Sequence, residues 1–289
     1  MLWIGGMFGL CAVSAVAAKL QEATLAAWET YEKLTEARIE RELASEKGFL
    51  VRNFLDEREQ AQIRDTIRSS VYVKRMTTPN EEGGKIDVPD GLIHHWYGTV
   101  LVPGATLDQV LAWVQDYERH EEYFDEVEDS RLDSQSGDTF DIFLRLRRKK
   151  VISVYYNTEH EVIYRRHGSD RASSRSKATR IAEIDNAGTD REKEKPVGED
   201  RGFLWRLDSY WRFAQQADGV VVECESISLS RTIPVAFRWV VRPFINSVPR
   251  ESLEATLLPL RKAFLDGTRS SLRRPDVGER PGPSTAARR

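Results

Sequence analysis

Cysteine is scarce in this chain. Only Cys11 and Cys224 occur among 289 residues, so no framework of disulfides can hold the fold, and burial of a core must do so. Cys224 falls in the strand-like run Val220 to Leu229 and reads as a small buried apolar residue. Charge of one sign is also lacking. Lys and Arg number 43 against 46 Asp and Glu, a net charge of -3, which gives no global attraction to nucleic acid. Catalytic signatures are missing as well: there is no Gly-rich phosphate loop, nucleophile elbow or CxxC. His120-Glu121 and His160-Glu161 start like a zinc-protease motif, but neither has a second histidine one helical turn later. His94 and His95 are adjacent in a strand pattern and point to opposite faces. No catalytic residue, metal ligand or cofactor is therefore assigned.

Long apolar runs are absent except at the start. Met1 to Ala18 carries no charge and ends in the small residues Ala15-Val16-Ala17-Ala18, a pattern that predicts a secretory signal or a short membrane anchor. It is barely long enough to span, since a bilayer takes roughly 17–25 apolar residues. The expectation is an exported, periplasmic or cell-envelope protein.

What remains is 40% hydrophobic and 31% charged, the mixture of a globular chain with a substantial core. Helical spacing marks 19–47 and 56–68, with Asp56 as cap of the second. A turn-rich stretch over 77–91 follows the short strand-like Val71-Tyr72-Val73, and 19–90 reads as a helical extension. Ile93 to Pro103 alternates as a strand, and Thr106 caps a helix holding Leu107, Val110, Leu111 and Val114. The acidic, aromatic stretch 117–127 reads as a second short helix or a connection. Period-two runs then cover 138–149, 151–167, 172–184, 203–214 and 220–230, with a charged solvated connection over 185–202. A helix is expected from Pro249 to about Phe264, with Gly267 as its stop, before a disordered tail over 268–289.

Hairpins in succession give an antiparallel sheet whose free face needs a cover, and the last helix supplies one. The order is α+β: a helix-grip fold, a curved antiparallel sheet wrapped on a long C-terminal helix, spanning about 91–267. It resembles the START-like (SRPBCC) superfamily, with its polyketide cyclase/dehydratase and coenzyme-Q-binding relatives. The resemblance runs from about Leu92 to Phe264. It is carried by GTVLVPGATLDQVLAWVQDYERHEEYF, GFLWRLDSYWRF, VVVECESISLSRTIP and PRESLEATLLPLRKAF. It implies a cavity between sheet and C-terminal helix for a lipid, quinone or polyketide-like molecule.

Candidate ligand-binding residues follow from the strands. Trp205 and Trp211 share one face of 203–213, with Arg206, Asp208 and Arg212 on the other, and that apolar face is expected to look inward. Glu225 shares a face with Glu223 and Ile227, opposite Ser226, Ser228 and Ser230; which face is inward is open at this point. An inward Glu225 needs a partner such as Arg180, or fixes a polar group of a ligand. Tyr155 is the remaining candidate. The function expected is carriage of an apolar small molecule. The alternatives are a cyclase or hydrolase using Glu225 or Tyr155 as acid or base, and an interaction module. The basic run Arg145 to Lys150 is the feature that could meet a membrane surface, the second partner expected.

Overall fold

The computed structural model describes residues 18–149, 153–232 and 238–265, with the side chains of 238–249 excepted. The expected signal or anchor over 1–17, the stop at Gly267 and the tail over 268–289 lie outside these residues.

The elements, in chain order, are β1 (Ala18–Lys19), α1 (Glu22–Leu43), α2 (Glu57–Thr66), β2 (Tyr72–Arg75), β3 (Gly91–Pro103), α3 (Leu107–Val114), α4 (His120–Tyr123) and β4 (Val127–Ser136). They continue with β5 (Thr139–Lys149), β6 (Ser153–Arg166), β7 (Arg171–Asp185), β8 (Lys193–Glu194), β9 (Glu199–Asp200), β10 (Arg206–Gln216), β11 (Gly219–Arg231) and α5 (Arg238–Leu265). Among the described residues, nine strands form one antiparallel sheet in the order β2-β3-β11-β10-β7-β6-β5-β4, with β8 paired to β7. α5 lies across one face, and the arrangement is the α+β helix grip.

Local chemistry explains the boundaries. Asp56 accepts the Glu59 amide at the start of α2. Thr106 and Gln109 form a reciprocal capping box on α3, which satisfies two amides that have no partner within the helix. The hairpin between β10 and β11 turns at Gly219 (φ +147°), where a Cβ would sit 2.1 Å from the Val102 carbonyl oxygen. Only glycine fits so close to the neighbouring strand.

The sequence reading needs three corrections. β4 is a strand that the polar sequence VEDSRLDSQS conceals; it is the sheet edge, pairs only with β5 and is mostly exposed, so no apolar alternation is required of it. The 185–202 segment is more than a solvated connection, because it holds β8 and β9, and Asp200 is buried there. The short strand read at Val71-Tyr72-Val73 is β2, which joins the main sheet beside β3. Finally, α5 begins at Arg238, ahead of Pro249.

Register sorts the two faces of the sheet. On the α5 face lie Val100 and Val102 of β3, Val220, Val222 and Cys224 of β11, Phe213 of β10, and Val162 and Tyr164 of β6. They join Leu253, Leu257 and Leu260 of α5 and the apolar side of α3 in the main core. The opposite face is also covered. Trp28, Tyr31 and Ile39 of α1 pack on Tyr210, Ile227 and Leu229, and Phe49 to Val51 with α2 pack on Tyr97, Leu101 and Val221.

Candidate functional site

The α5 face divides into two halves. In the half nearest the β10–β11 turn, the apolar side chains interlock. Gly98 lets α5 come down onto the sheet, since a Cβ there would lie 2.8 Å from both Leu253 and Leu257. Arg261 fixes the same end of α5 by donating to the carbonyls of Ile67, Arg68 and Leu101. At the other rim Ser252 of α5 donates to Glu126 (2.8 Å), which also binds Arg148 at the end of β5. The helix is thus held at both sides of the concave face.

The second half of that face is different in character. Register places Ser226 of β11, Ser209 of β10 and Ser176 of β7 side by side, with Trp96 of β3 opposite Ser226. Neighbouring strands lie about 4.8 Å apart, so the three hydroxyls form a row about 10 Å long. Trp96 and Trp211 flank this row and remain only partly buried, packed on the edge of the main core. Trp211 stacks parallel to Phe213 with 6.1 Å between ring centroids and donates its indole N–H to Ser209 (3.2 Å). Next to Ser176, His160 is buried and contacts Thr158 at 2.9 Å and Ser176 at 3.5 Å. Burial lowers the pKa of His160 to about 4, and that of His94, on the same face of β3, likewise to about 4. Both are neutral at pH 7.

The opposite face carries buried charge. Glu225 is 2% exposed. It accepts from His95 Nε2 at 2.7 Å and pairs with Arg38 of α1. His95 Nδ1 lies 2.8 Å from the Tyr31 hydroxyl, which accepts the Thr78 amide. Burial works to raise the Glu225 carboxyl, but the hydrogen bond from His95 and the charges of Arg38 and Arg212 hold it below the usual range. Glu223 accepts from the Tyr97 hydroxyl (2.5 Å) and the Val51 amide (2.6 Å). Arg212 donates to Glu42 of α1 at 2.5 Å. Along the same seam Lys177 pairs with Glu32, and Arg175 with Glu36.

These positions settle where the five sequence candidates stand. Trp211 alone faces α5. The proposed pairing of Glu225 with Arg180 is not made: Glu225 turns to α1, and Arg180 binds Glu159 and Glu194. Trp205 is buried under α1 with Trp28, and its indole donates to Asp200 at 3.1 Å. Its expected place on the inward face with Trp211 fails because it precedes β10 and leaves the strand's alternation. Tyr155 also points away from α5, with the Arg145 guanidinium 5.9 Å from its ring centre. Glu225 and Tyr155 therefore cannot act as acid or base against α5. The basic run is largely neutralised: Arg145 pairs with Glu192 and Glu128, Arg147 with Glu128, and Arg148 with Glu126, while Lys150 lies outside the described residues. The serine row was missed as a site. Its signal was the alternation Ser226, Ser228, Ser230, whose face a single strand does not reveal.

Trp205 and Arg180 do meet, on the outer face, in a hollow of about 390 Å³ beside α1 that Trp28, Lys177 and Arg206 also line. A second hollow of about 250 Å³ lies on that side near Phe49 and Arg171. Among the described residues no group of side chains is arranged to hold a metal ion, and no helix is long and apolar enough to cross a membrane.

No protein-family model matches the chain, and no curated protein matches it in sequence. Solved structures do resemble it. A STAR-related lipid transfer protein fragment from Xanthomonas axonopodis is 18% identical, with 62% of this chain and 96% of that one covered and a TM-score of 0.44. Human STARD10 is 8% identical over 80% of this chain and 88% of that one, with a TM-score of 0.45. A Streptomyces aromatase/cyclase, Zhui, is 13% identical over 63% and 99%, with a TM-score of 0.41.

Proposed function

We propose that the chain binds and carries an apolar small molecule, lipid-, quinone- or polyketide-like, between the serine row and α5. One observation carries this reading: two tryptophans, Trp96 and Trp211, stay partly uncovered on the α5 face, where Leu144 and Leu207 are also only partly buried. Large aromatics half-covered on a concave face, beside a few hydroxyls, are the usual composition of a small-molecule site. The setting we propose is the cell envelope, supported by the uncharged stretch 1–18. Fractionation of the source cells tests it, and recovery in the cytosol would overturn it.

The ligand-binding reading is tested on the full chain purified without detergent. Solvent extraction and mass spectrometry should recover a stoichiometric apolar compound, and Trp211→Ala should lower its recovery by about tenfold or more, one large aromatic contact being worth roughly 1.5–3 kcal/mol. Equal recovery from both proteins, or no compound from either together with no binding across a lipid and quinone panel, would refute it.

A further inference from the structure

The charged segment between β7 and β10 exposes apolar side chains where water alone would favour polar ones. Among the described residues four large apolar side chains are exposed. Leu258 and Leu265 are on α5, and the other two, Val197 (51%) and Phe203 (41%), both belong to this segment. Val197 stands at the tip of a tight turn. The Glu199 amide donates to the Pro196 carbonyl (3.0 Å), and Gly198 takes φ +77°, the conformation a type II turn requires at its third residue. Water gives a valine at such a tip no stabilising contact. Phe203 is held outward by a fixed backbone. The buried Asp200 accepts the Gly202 amide (2.5 Å) and the Trp205 indole (3.1 Å), and the Gly202 carbonyl accepts the Arg231 amide (2.7 Å). The Trp205 amide in turn donates to the Leu229 carbonyl (2.8 Å).

The start of the chain joins the fold between these two side chains. β1 pairs antiparallel with β9, Ala18 opposite Asp200 and Lys19 opposite Glu199, and the Leu20 amide donates to the Gly198 carbonyl (2.9 Å). The uncharged stretch 1–17 therefore runs directly into β1 beside Asp200, which is three residues from Val197 and three from Phe203. Whatever holds that stretch is brought against both. Basic groups border the same surface: Lys19 is exposed and paired with Glu199, and the Arg231 guanidinium lies 5.8 Å from the Phe203 ring centre. Apolar side chains bordered by Lys and Arg suit the boundary between lipid headgroups and acyl chains, where long basic side chains reach back to the polar layer. We propose that Val197 and Phe203 rest on the lipid bilayer that the stretch 1–17 enters, so that the folded body is seated on the membrane by its β1–β9 side. The inference rests on the cell-envelope setting above and is independent of ligand binding.

Lipid quenching of a fluorophore tests this on the full chain carrying Cys11→Ser, in which the buried Cys224 stays unlabelled. The label is placed at Val197→Cys, at Phe203→Cys or, as a control, at Ser136→Cys, an exposed position beside the β4–β5 turn at the opposite end of the strands. Each protein is reconstituted into phosphatidylethanolamine–phosphatidylglycerol vesicles that contain a spin-labelled quenching lipid. Seated roughly 5–10 Å into the headgroup boundary, the labels at 197 and 203 should lose about half of their emission or more, and the label at 136 none. Quenching at neither 197 nor 203, or equal quenching at 136, would overturn the inference. Emission at 197 and 203 that follows protein concentration and ignores the quenching lipid would assign this surface to a second copy of the chain, and would overturn it too. None of these results decides whether the chain fractionates with the envelope, which the stretch 1–17 can bring about alone.

Discussion

Single residues decide how the two faces of the sheet are used. Gly98 is required because α5 descends into the space a side chain would fill. Gly98→Val should force Leu253 and Leu257 outward and destabilise the fold by about 1–3 kcal/mol, the usual cost of overpacking. Urea denaturation checks this, and a midpoint equal to that of the parent would show that α5 does not sit on Gly98. Glu225 shows how far single residues are legible. Alternation correctly separated it from the serines, but a carboxylate in a strand usually marks the solvent face. Here the partner that permits burial, Arg38, lies 187 residues away in sequence, so no local pattern could reveal it.

At the scale of elements, the helical period of α1 was readable, but the partners it docks on were not, because the seam beneath it joins the apolar contacts of Trp28, Tyr31 and Ile39 to ion pairs with residues far away in sequence. Asp208 is 2% exposed in that seam. From α1 it faces Glu32 and Glu36, from β7 Lys177, and along its own strand Tyr210. Burial first, and then the charge of Glu32, raise its pKa from 3.8 to about 8. The unfolded chain releases this proton near pH 4, whereas the folded chain keeps it to about pH 8. The folded state thus binds more protons across that window, and its stability falls as pH rises through it. Asp208→Asn cannot ionise, so its melting temperature relative to the parent should rise from pH 5 to about pH 9. A constant difference would contradict the assignment. Elements with little apolar content escaped the sequence for a related reason. β4 is an edge strand and β8 and β9 are two residues each, so burial imposes no periodic pattern on them. The capped helices and the long paired strands were legible because their own side chains cap or alternate.

At the scale of the molecule, the sheet is a partition. One face is joined to α1 by apolar packing and ion pairs, which give the N-terminal part a fixed place. The other is gripped by α5 at two rims, with tryptophans and hydroxyls between. Trp96 and Trp211 belong to the second face and Trp28 and Trp205 to the first, so the indoles report which face a ligand chooses. The decisive measurement is a titration of the full, ¹⁵N-tryptophan-labelled chain with a neutral fatty alcohol, each indole resonance assigned by a Trp→Phe variant. Shifts confined to Trp96 and Trp211, with Trp28 and Trp205 unmoved, are the predicted result. Shifts at Trp28 and Trp205 alone would place binding in the outer hollow beside α1 and contradict the account.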